Sequence, residues 1–136
     1  IVPVLKDVDR KDLFQISIEL AQLAEKTRQR KLSIDDTQGG TFTVSNLGSI
    51  GGSHFTPIVN RPEVAILGFG RSILKPAVVK NGKVEVRSII PVCLSYDHRV
   101  IDGADGARFI QSLVQLLENF DENEFKGSLE SKNESN

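Results

Sequence analysis

The most informative stretch of this sequence is Ser95-Tyr96-Asp97-His98-Arg99-Val100-Ile101-Asp102-Gly103-Ala104-Asp105-Gly106-Ala107-Arg108-Phe109. It lies where an apolar run typical of a strand gives way to a pattern typical of a helix. Loops at such junctions present side chains at positions fixed by rigid neighbours, as catalysis requires. A histidine followed four residues later by Asp-Gly is weak support for a catalytic site when spacing alone is considered.

Helical patterns lie on both sides of this stretch. Apolar residues recur at helical spacing from Gly103 to Phe120, and a second amphipathic helix is predicted from Asp9 to Leu32, with Asp9 as its cap. A short helical turn is predicted at Ser33–Asp36. The polar composition of residues 121–136 cannot bury enough surface to offset the entropy of ordering, so we expect a disordered tail.

Strand patterns fill the middle of the chain. Thr41 to Asn46 alternates with a period of two, and Glu63 to Gly70 reads as a buried strand. The apolar stretches flanking Asn81-Gly82 predict a hairpin with a type I′ turn, whose second strand runs from Val84 to Ser95. The order helix, strand, paired strands, helix predicts an α/β fold with a mixed β-sheet flanked by helices.

Length and composition limit the classes of function. The 136 residues suffice for one domain, and 17 basic against 18 acidic residues leave no overall field that attracts nucleic acid or an anionic membrane. The single cysteine, Cys93, excludes an internal disulfide or a Cys-rich metal site and is expected to be an inert core residue. Because Ile1-Val2-Pro3-Val4-Leu5 resembles the middle of a strand, we expect the N-terminal part of the domain to be missing.

The stretch from Asp97 to Phe109 closely resembles the C-terminal signature of dihydrolipoamide acyltransferases, the E2 components of 2-oxo acid dehydrogenase complexes. The resemblance extends through Gly39 to Gly48 and Pro57 to Gly68, and covers nearly all of the chain up to Phe120. It implies a chloramphenicol acetyltransferase-like fold, of which residues 1–120 form the C-terminal portion.

The residue types suit the transfer of an acyl group between two thiols. The attacking group is a thiolate, and a thiol of pKa about 8.5 is mostly protonated at neutral pH. A neutral imidazole of pKa about 6.5 takes that proton at a cost of roughly 2.7 kcal/mol, which concerted attack absorbs. His98 is therefore the predicted general base.

Ser45 and Asp102 complete the predicted catalytic set. Ser45 matches the hydroxyl that stabilises the transition state in the E2 family, and one such donor is worth roughly a hundredfold to a thousandfold in rate. A local backbone hydrogen bond is the alternative for a serine at a strand end. The position of Asp102 allows a carboxylate that orients the histidine. The resemblance implies instead a structural ion pair that shapes the histidine loop, which is the role we favour. His54 is expected to be a surface residue.

The resemblance also implies the substrates and partners. The substrates would be coenzyme A and the dihydrolipoyl group, and the partners a lipoyl domain, the E1 and E3 components and other E2 chains. These chains would form a homotrimer whose active sites combine the histidine of one chain with the hydroxyl of its neighbour. The compartment would be the bacterial cytoplasm or the mitochondrial matrix. Since the tail is polar, we expect assembly to stop at the trimer or below.

The acyl group and the activity itself have alternatives. Val100 to Phe109 resembles acetyl-transferring members, whereas Ser45 to Gly52 also resembles branched-chain ones; acetyl is the expected group. A catalytically silent core or interaction module would keep the fold but lack turnover; the intact His98 and Ser45 argue against it, and the expected loss of the N-terminal part of the domain argues for it. A stand-alone enzyme that acetylates a hydroxyl or an amine fits Asp-His-Arg-Val-Ile-Asp-Gly less well.

Overall fold

The computed structural model of the chain describes residues 2–79, 81–121 and 123. The described residues form two units, one of residues 2–40 together with 112–121 and 123, and one of residues 41–79 and 81–111. The tail predicted to be disordered lies outside the described residues, apart from positions 121 and 123. No helix within the described ranges is long and apolar enough to cross a membrane.

The predicted N-terminal helix is present as α1, Leu13–Arg28. It begins later than predicted, because the cap is Asp12 and not Asp9, which lies in a preceding 3-10 turn. The Asp12 carboxylate accepts a hydrogen bond from the Gln15 amide, and the Gln15 side chain accepts one from the Asp12 amide, which satisfies two donors at the helix start. None of the α1 residues is buried, although Ile16, Leu23 and Ala24 of its apolar face are partly covered.

The three-stranded sheet consists of β1 (Thr43–Asn46), β2 (Ala65–Phe69) and β5 (Val92–Tyr96), with β2 in the centre. The pairing of β1 with β2 is parallel and that of β2 with β5 is antiparallel, so the sheet is mixed as predicted. The central strand supplies the buried apolar residues of the described chain, Ala65, Ile66 and Leu67. A continuous apolar run in a central strand is the pattern expected when both faces are covered.

The predicted hairpin forms a separate two-stranded sheet of β3 (Ile73–Val78) and β4 (Val84–Ile89). Its turn is not the predicted two-residue type I′ turn. The Val79 amide donates to the Lys83 carbonyl, and the Gly82 amide donates back to the Val79 carbonyl, so three positions separate the paired residues. Gly82 has φ of 76°, the left-handed conformation with which a glycine closes a three-residue hairpin loop.

The predicted strand from Val84 to Ser95 is in fact two strands. β4 ends at Ile89 and pairs with β3, whereas β5 begins at Val92 and pairs with β2. Pro91 lies at the break; it has no amide hydrogen to donate, and its carbonyl accepts from the Gly70 amide. The β propensity of these residues correctly predicted extended structure. It could not show that the pairing strand changes from β3 to β2 at Pro91.

The connection after β1 is held close to the end of β2. The Gly52 amide donates to the Leu47 carbonyl, and the Arg71 amide donates to the Gly52 carbonyl at 2.6 Å. A Cβ atom on Gly48 would lie 2.9 Å from the Gly70 carbonyl oxygen and 3.3 Å from the Arg71 Cα atom. Only a residue without a side chain therefore lets the two backbone segments approach this closely.

Gly48→Ala is expected to lower the free energy of unfolding by about 1–3 kcal/mol, because the obstructing atoms belong to the backbone and have little freedom to move. Urea unfolding followed by circular dichroism measures this. Ser49→Ala, in the same turn and exposed, is the matched control and is expected to be nearly neutral. Equal stabilities of the two variants would contradict the close approach.

Candidate active site

His98 lies in a tight turn between β5 and the second helix, α2, Gly103–Glu118. The Asp97 amide donates to the Val64 carbonyl at 2.8 Å, which ties the start of the turn to the sheet beyond the last residue of β5. The Val100 and Ile101 amides both donate to the Asp97 carbonyl. His98 is exposed in this turn, so its imidazole is open to solvent and substrate.

The residues on either side of His98 form an ion pair. The Arg99 guanidinium donates from Nε to Asp97 Oδ1 at 2.9 Å and from Nη2 to Asp97 Oδ2 at 2.5 Å. The Arg99 amide also donates to Asp97 Oδ1, at 3.0 Å. These hydrogen bonds, with the added positive charge of Arg61, hold the pKa of Asp97 well below its ordinary range. The same carboxylate raises the pKa of Arg99.

The Tyr96 ring contacts the His98 imidazole and so relates its position to the sheet. The Tyr96 and His98 rings are in contact, with their centroids 5.7 Å apart. A Cβ on Gly106 of α2 would come within 2.8 Å of the Tyr96 ring, so α2 passes directly over this tyrosine. Phe42 and Phe109 are in contact on the same face, at 5.7 Å. His98 therefore adjoins the face of the sheet that α2 covers.

Ser45 lies on the opposite face of the same sheet. It is paired with Gly68 of β2, which in turn is paired with Cys93 of β5, so the three residues form one row across the strands. A Cβ on Gly68 would lie 2.7 Å from the Phe55 ring and 2.8 Å from Cys93 Sγ, which places Phe55 over this row. Because side chains alternate along a strand and Cys93 is three residues from Tyr96, these two side chains are on opposite faces of the sheet. Ser45, which is in the row of Cys93, therefore lies on the face opposite to Tyr96.

Within one chain Ser45 and His98 are far apart. Tyr96 is three residues along β5 from the row of Ser45, and two strand spacings separate β5 from β1. With about 3.3 Å per residue and about 4.8 Å per strand, the Cα atoms of Ser45 and Tyr96 are roughly 14 Å apart. The two predicted catalytic side chains also belong to opposite faces, so they do not form a single site within one chain.

The carboxylate of Asp102 caps α2. Its Oδ1 accepts a hydrogen bond from the Asp105 amide at 2.8 Å, the contact of an N-cap residue with the third residue of a helix. The ion pair expected for Asp102 is not found among the described residues, and neither is a contact with His98. The structure thus gives Asp102 a structural contact, but of a kind different from the one expected.

The structure brings to the site two residues, Asp97 and Arg99, that had no individually predicted role. Asp97 and Arg99 were named only as part of the motif, and a contact between their side chains was not predicted. The available signal was the presence of opposite charges directly before and after a candidate base. Cys93 is half-buried, and its thiol donates to the Phe55 carbonyl at 2.9 Å. His54 is exposed on the loop after the glycines, as expected for a surface residue.

The fold and the site define a class of protein. A mixed sheet with a helix across one face, and an exposed histidine in the turn that leads into that helix, is the arrangement implied for a chloramphenicol acetyltransferase-like acyltransferase. The sequence model described as "2-oxoacid dehydrogenases acyltransferase (catalytic domain)" matches residues 1–123. The chain belongs to this family, which confirms the resemblance and the predicted fold class.

Close relatives have been named. The chain is 57% identical over 117 residues to the dihydrolipoyllysine-residue acetyltransferase component of the pyruvate dehydrogenase complex of Buchnera aphidicola, covering 85% of this chain and 29% of the relative. The component of the same name from Pseudomonas aeruginosa is 55% identical, with coverages of 86% and 21%. The chain thus spans less than a third of the length of these two relatives.

A solved structure from Azotobacter vinelandii, of dihydrolipoamide acetyltransferase, is 52% identical with a TM-score of 0.83. The match covers 88% of this chain and 49% of that one. The work on that enzyme addressed the role of a serine, a histidine and an asparagine in its catalytic mechanism.

Asp102→Ala is expected to lower the free energy of unfolding by about 1 kcal/mol, because the Asp105 amide loses its acceptor. Asp102→Asn keeps an oxygen at the cap and should retain both stability and acyl transfer. Asp105→Ala, which removes an exposed acid from the same turn, serves as the control for lost charge. Loss of activity in Asp102→Asn with unchanged stability would contradict the capping role and favour a carboxylate that acts on the histidine.

Proposed function

We propose that this chain carries the catalytic residues of an acetyltransferase that moves an acetyl group between dihydrolipoamide and coenzyme A in a pyruvate dehydrogenase complex. The observation that carries the proposal is the exposed His98, held in a fixed turn between strand and helix in a member of the acyltransferase family. Acetyl is preferred to a branched-chain group because both named relatives are acetyltransferase components of that complex.

The spacing of the catalytic residues is identical to that of a solved relative for Asp102 and differs by one residue for Ser45, so matching Ser45 requires one additional residue between the two positions in this chain. In the Azotobacter vinelandii enzyme the serine lies 52 positions before the histidine, and the asparagine four positions after it. Ser45 lies 53 positions before His98, and Asp102 four positions after it. An asparagine at the place of Asp102 keeps the oxygen that a helix cap needs but carries no charge. This agrees with a positioning role for Asp102.

His98 would act on the proton of the attacking thiol. The imidazole takes the proton from sulfur as the sulfur attacks the thioester carbonyl, and negative charge develops on the carbonyl oxygen. The hydroxyl of Ser45 donates a hydrogen bond to that oxygen. The carbon–sulfur bond of the donor thioester then breaks, and the protonated imidazole returns its proton to the departing thiolate.

Two copies of the chain would be needed for one active site. The separation of roughly 14 Å between the Cα atoms of Ser45 and Tyr96, and their opposite faces, keep the Ser45 hydroxyl away from a thioester bound at His98 of the same chain. The Ser45 hydroxyl has no hydrogen-bond partner among the described residues, which leaves it available to a ligand. We propose a homotrimer in which each site takes His98 from one chain and Ser45 from its neighbour.

The remaining partners follow from the same assignment. An enzyme of this activity would work with a lipoyl domain and with the E1 and E3 components of the complex, as the resemblance to the E2 family implies. The named relatives are bacterial, and we propose the bacterial cytoplasm as the compartment. The expectation that assembly stops at the trimer or below depends on the tail, most of which lies outside the described residues, and stays a prediction.

Transfer of acetyl from acetyl-CoA to free dihydrolipoamide tests the activity. His98→Ala and Ser45→Ala are each expected to lower the rate by at least about a hundredfold, because one removes the base and the other the donor to the oxyanion. His54→Ala, the only other histidine of the chain, is the control and should be unaffected. An unchanged rate in His98→Ala would refute the assignment of the base. Comparison with isobutyryl-CoA and succinyl-CoA tests the acyl group, and acetyl-CoA is expected to be preferred.

Co-assembly of the two inactive variants tests the shared site. When His98→Ala and Ser45→Ala chains are unfolded together in equal amounts and refolded, about a quarter of the sites should combine an intact histidine with an intact serine from the neighbour. Activity should therefore recover to about a quarter of the wild-type value. If both residues acted within one chain, every site would lack one of them, and mixing would restore nothing.

A further inference from the structure

We propose that Asp97 and Arg99 are positioning residues that fix the orientation of the His98 imidazole. The proposal rests on His98 being the base of the proposed reaction. The Asp97 carboxylate joins the backbone before His98 to both the amide and the guanidinium that follow it. This side-chain bridge links the two sequence neighbours of His98 and restrains the backbone that carries the imidazole.

The Asp97 end of this side-chain bridge is fixed to the sheet, whereas the Arg99 end is exposed to solvent. The Asp97 amide is bonded to the Val64 carbonyl of the segment that enters β2, so the carboxylate projects from a point fixed to the sheet. The Arg99 side chain is 81% exposed and the Asp97 side chain 25% exposed. A general base must be held within a fraction of an ångström of its working position, and residues with fixed rotamers provide this.

The contribution of the pair to stability is expected to be small. Exposed ion pairs are screened by solvent and lose side-chain entropy on forming. A bidentate contact between a planar guanidinium and a carboxylate is nevertheless specific in geometry, which a single contact from a lysine would not be. Because the pKa of Asp97 is lowered, the carboxylate stays charged at every pH at which an imidazole is neutral, so the bridge persists throughout the working range.

The chain contains a matched pair that lies away from the site. Glu85 and Arg87 of β4 have the same spacing as Asp97 and Arg99, and their side chains contact at 2.6 Å. Both pairs are exposed or half-exposed ion pairs between residues i and i+2. The difference is that the residue between Glu85 and Arg87 is Val86, which is not a base. A general effect of losing a surface ion pair would appear equally in both.

Steady-state acetyl transfer by the native assembly tests the proposal. Asp97→Ala removes both carboxylate oxygens but keeps the backbone carbonyl, and is expected to lower kcat between about tenfold and a hundredfold, with KM for acetyl-CoA unchanged within about twofold. Arg99→Ala should give a smaller loss of kcat. Asp97→Asn keeps an oxygen for the Arg99 amide and should recover much of the rate. Arg87→Ala should leave kcat unchanged. Unchanged kcat in Asp97→Ala, or an effect on KM alone, would overturn the positioning role.

The His98→Ala background separates this proposal from the proposed reaction. If Asp97 acts through His98, then Asp97→Ala should cause no further loss in an enzyme that already lacks the imidazole, because the two effects are not additive. An additional loss of about tenfold in that background would overturn the proposal and assign Asp97 an independent role. If His98→Ala itself retained full activity, the base assignment would fail, whatever the Asp97 variants show. Asp97→Asn also guards against misfolding, since it leaves the backbone hydrogen bonds of the turn in place.

Discussion

The pairing of β2 with β5 is the constraint on which the site depends. It continues past the last strand residue through the bond between the Asp97 amide and the Val64 carbonyl. Beyond this bond the chain turns at once, with two amides returning to the Asp97 carbonyl, and enters α2 at the cap of Asp102. His98 lies between these two fixed points. An exposed side chain is thereby held by rigid backbone on both sides, which combines access with precision.

The same pairing also separates the proposed catalytic residues. Side chains alternate along β5, so Tyr96 and Cys93 are on opposite faces of the sheet. Cys93 is paired with Gly68, and Gly68 with Ser45, so Ser45 is on the face of Cys93 and not on that of Tyr96. The face next to His98 is occupied by α2, and the row of Ser45 by Phe55. No rotation of side chains closes a gap of roughly 14 Å between backbone positions. An active site that uses both residues therefore requires a second chain, which makes assembly part of the catalytic geometry.

Much of this fold was predictable because its signals are local. The alternation in Thr41 to Asn46, the apolar run of β2 and the helical spacing after Gly103 each give an element in its observed place. The start of α1 was predicted wrongly at Asp9, although Asp12 followed by Gln15 is a capping-box pattern visible in the sequence. The break between β4 and β5 was not predictable in this way, since β-branched residues on both sides of Pro91 favour a strand and only tertiary pairing distinguishes the partners.

The site shows the same division between local and non-local information. His98 could be proposed as the base from its motif. The opposite charges of Asp97 and Arg99 were visible in the sequence, but whether their side chains meet depends on the path of the backbone through the turn after β5. A motif records which residues are present, and the backbone path decides which of them touch. Asp102 illustrates the consequence: a carboxylate four positions after a histidine is compatible with orienting it, but the turn directs that oxygen to the Asp105 amide. Under the proposed assignment, one short segment supplies the base, the ion pair on either side of it and the cap of the helix that follows.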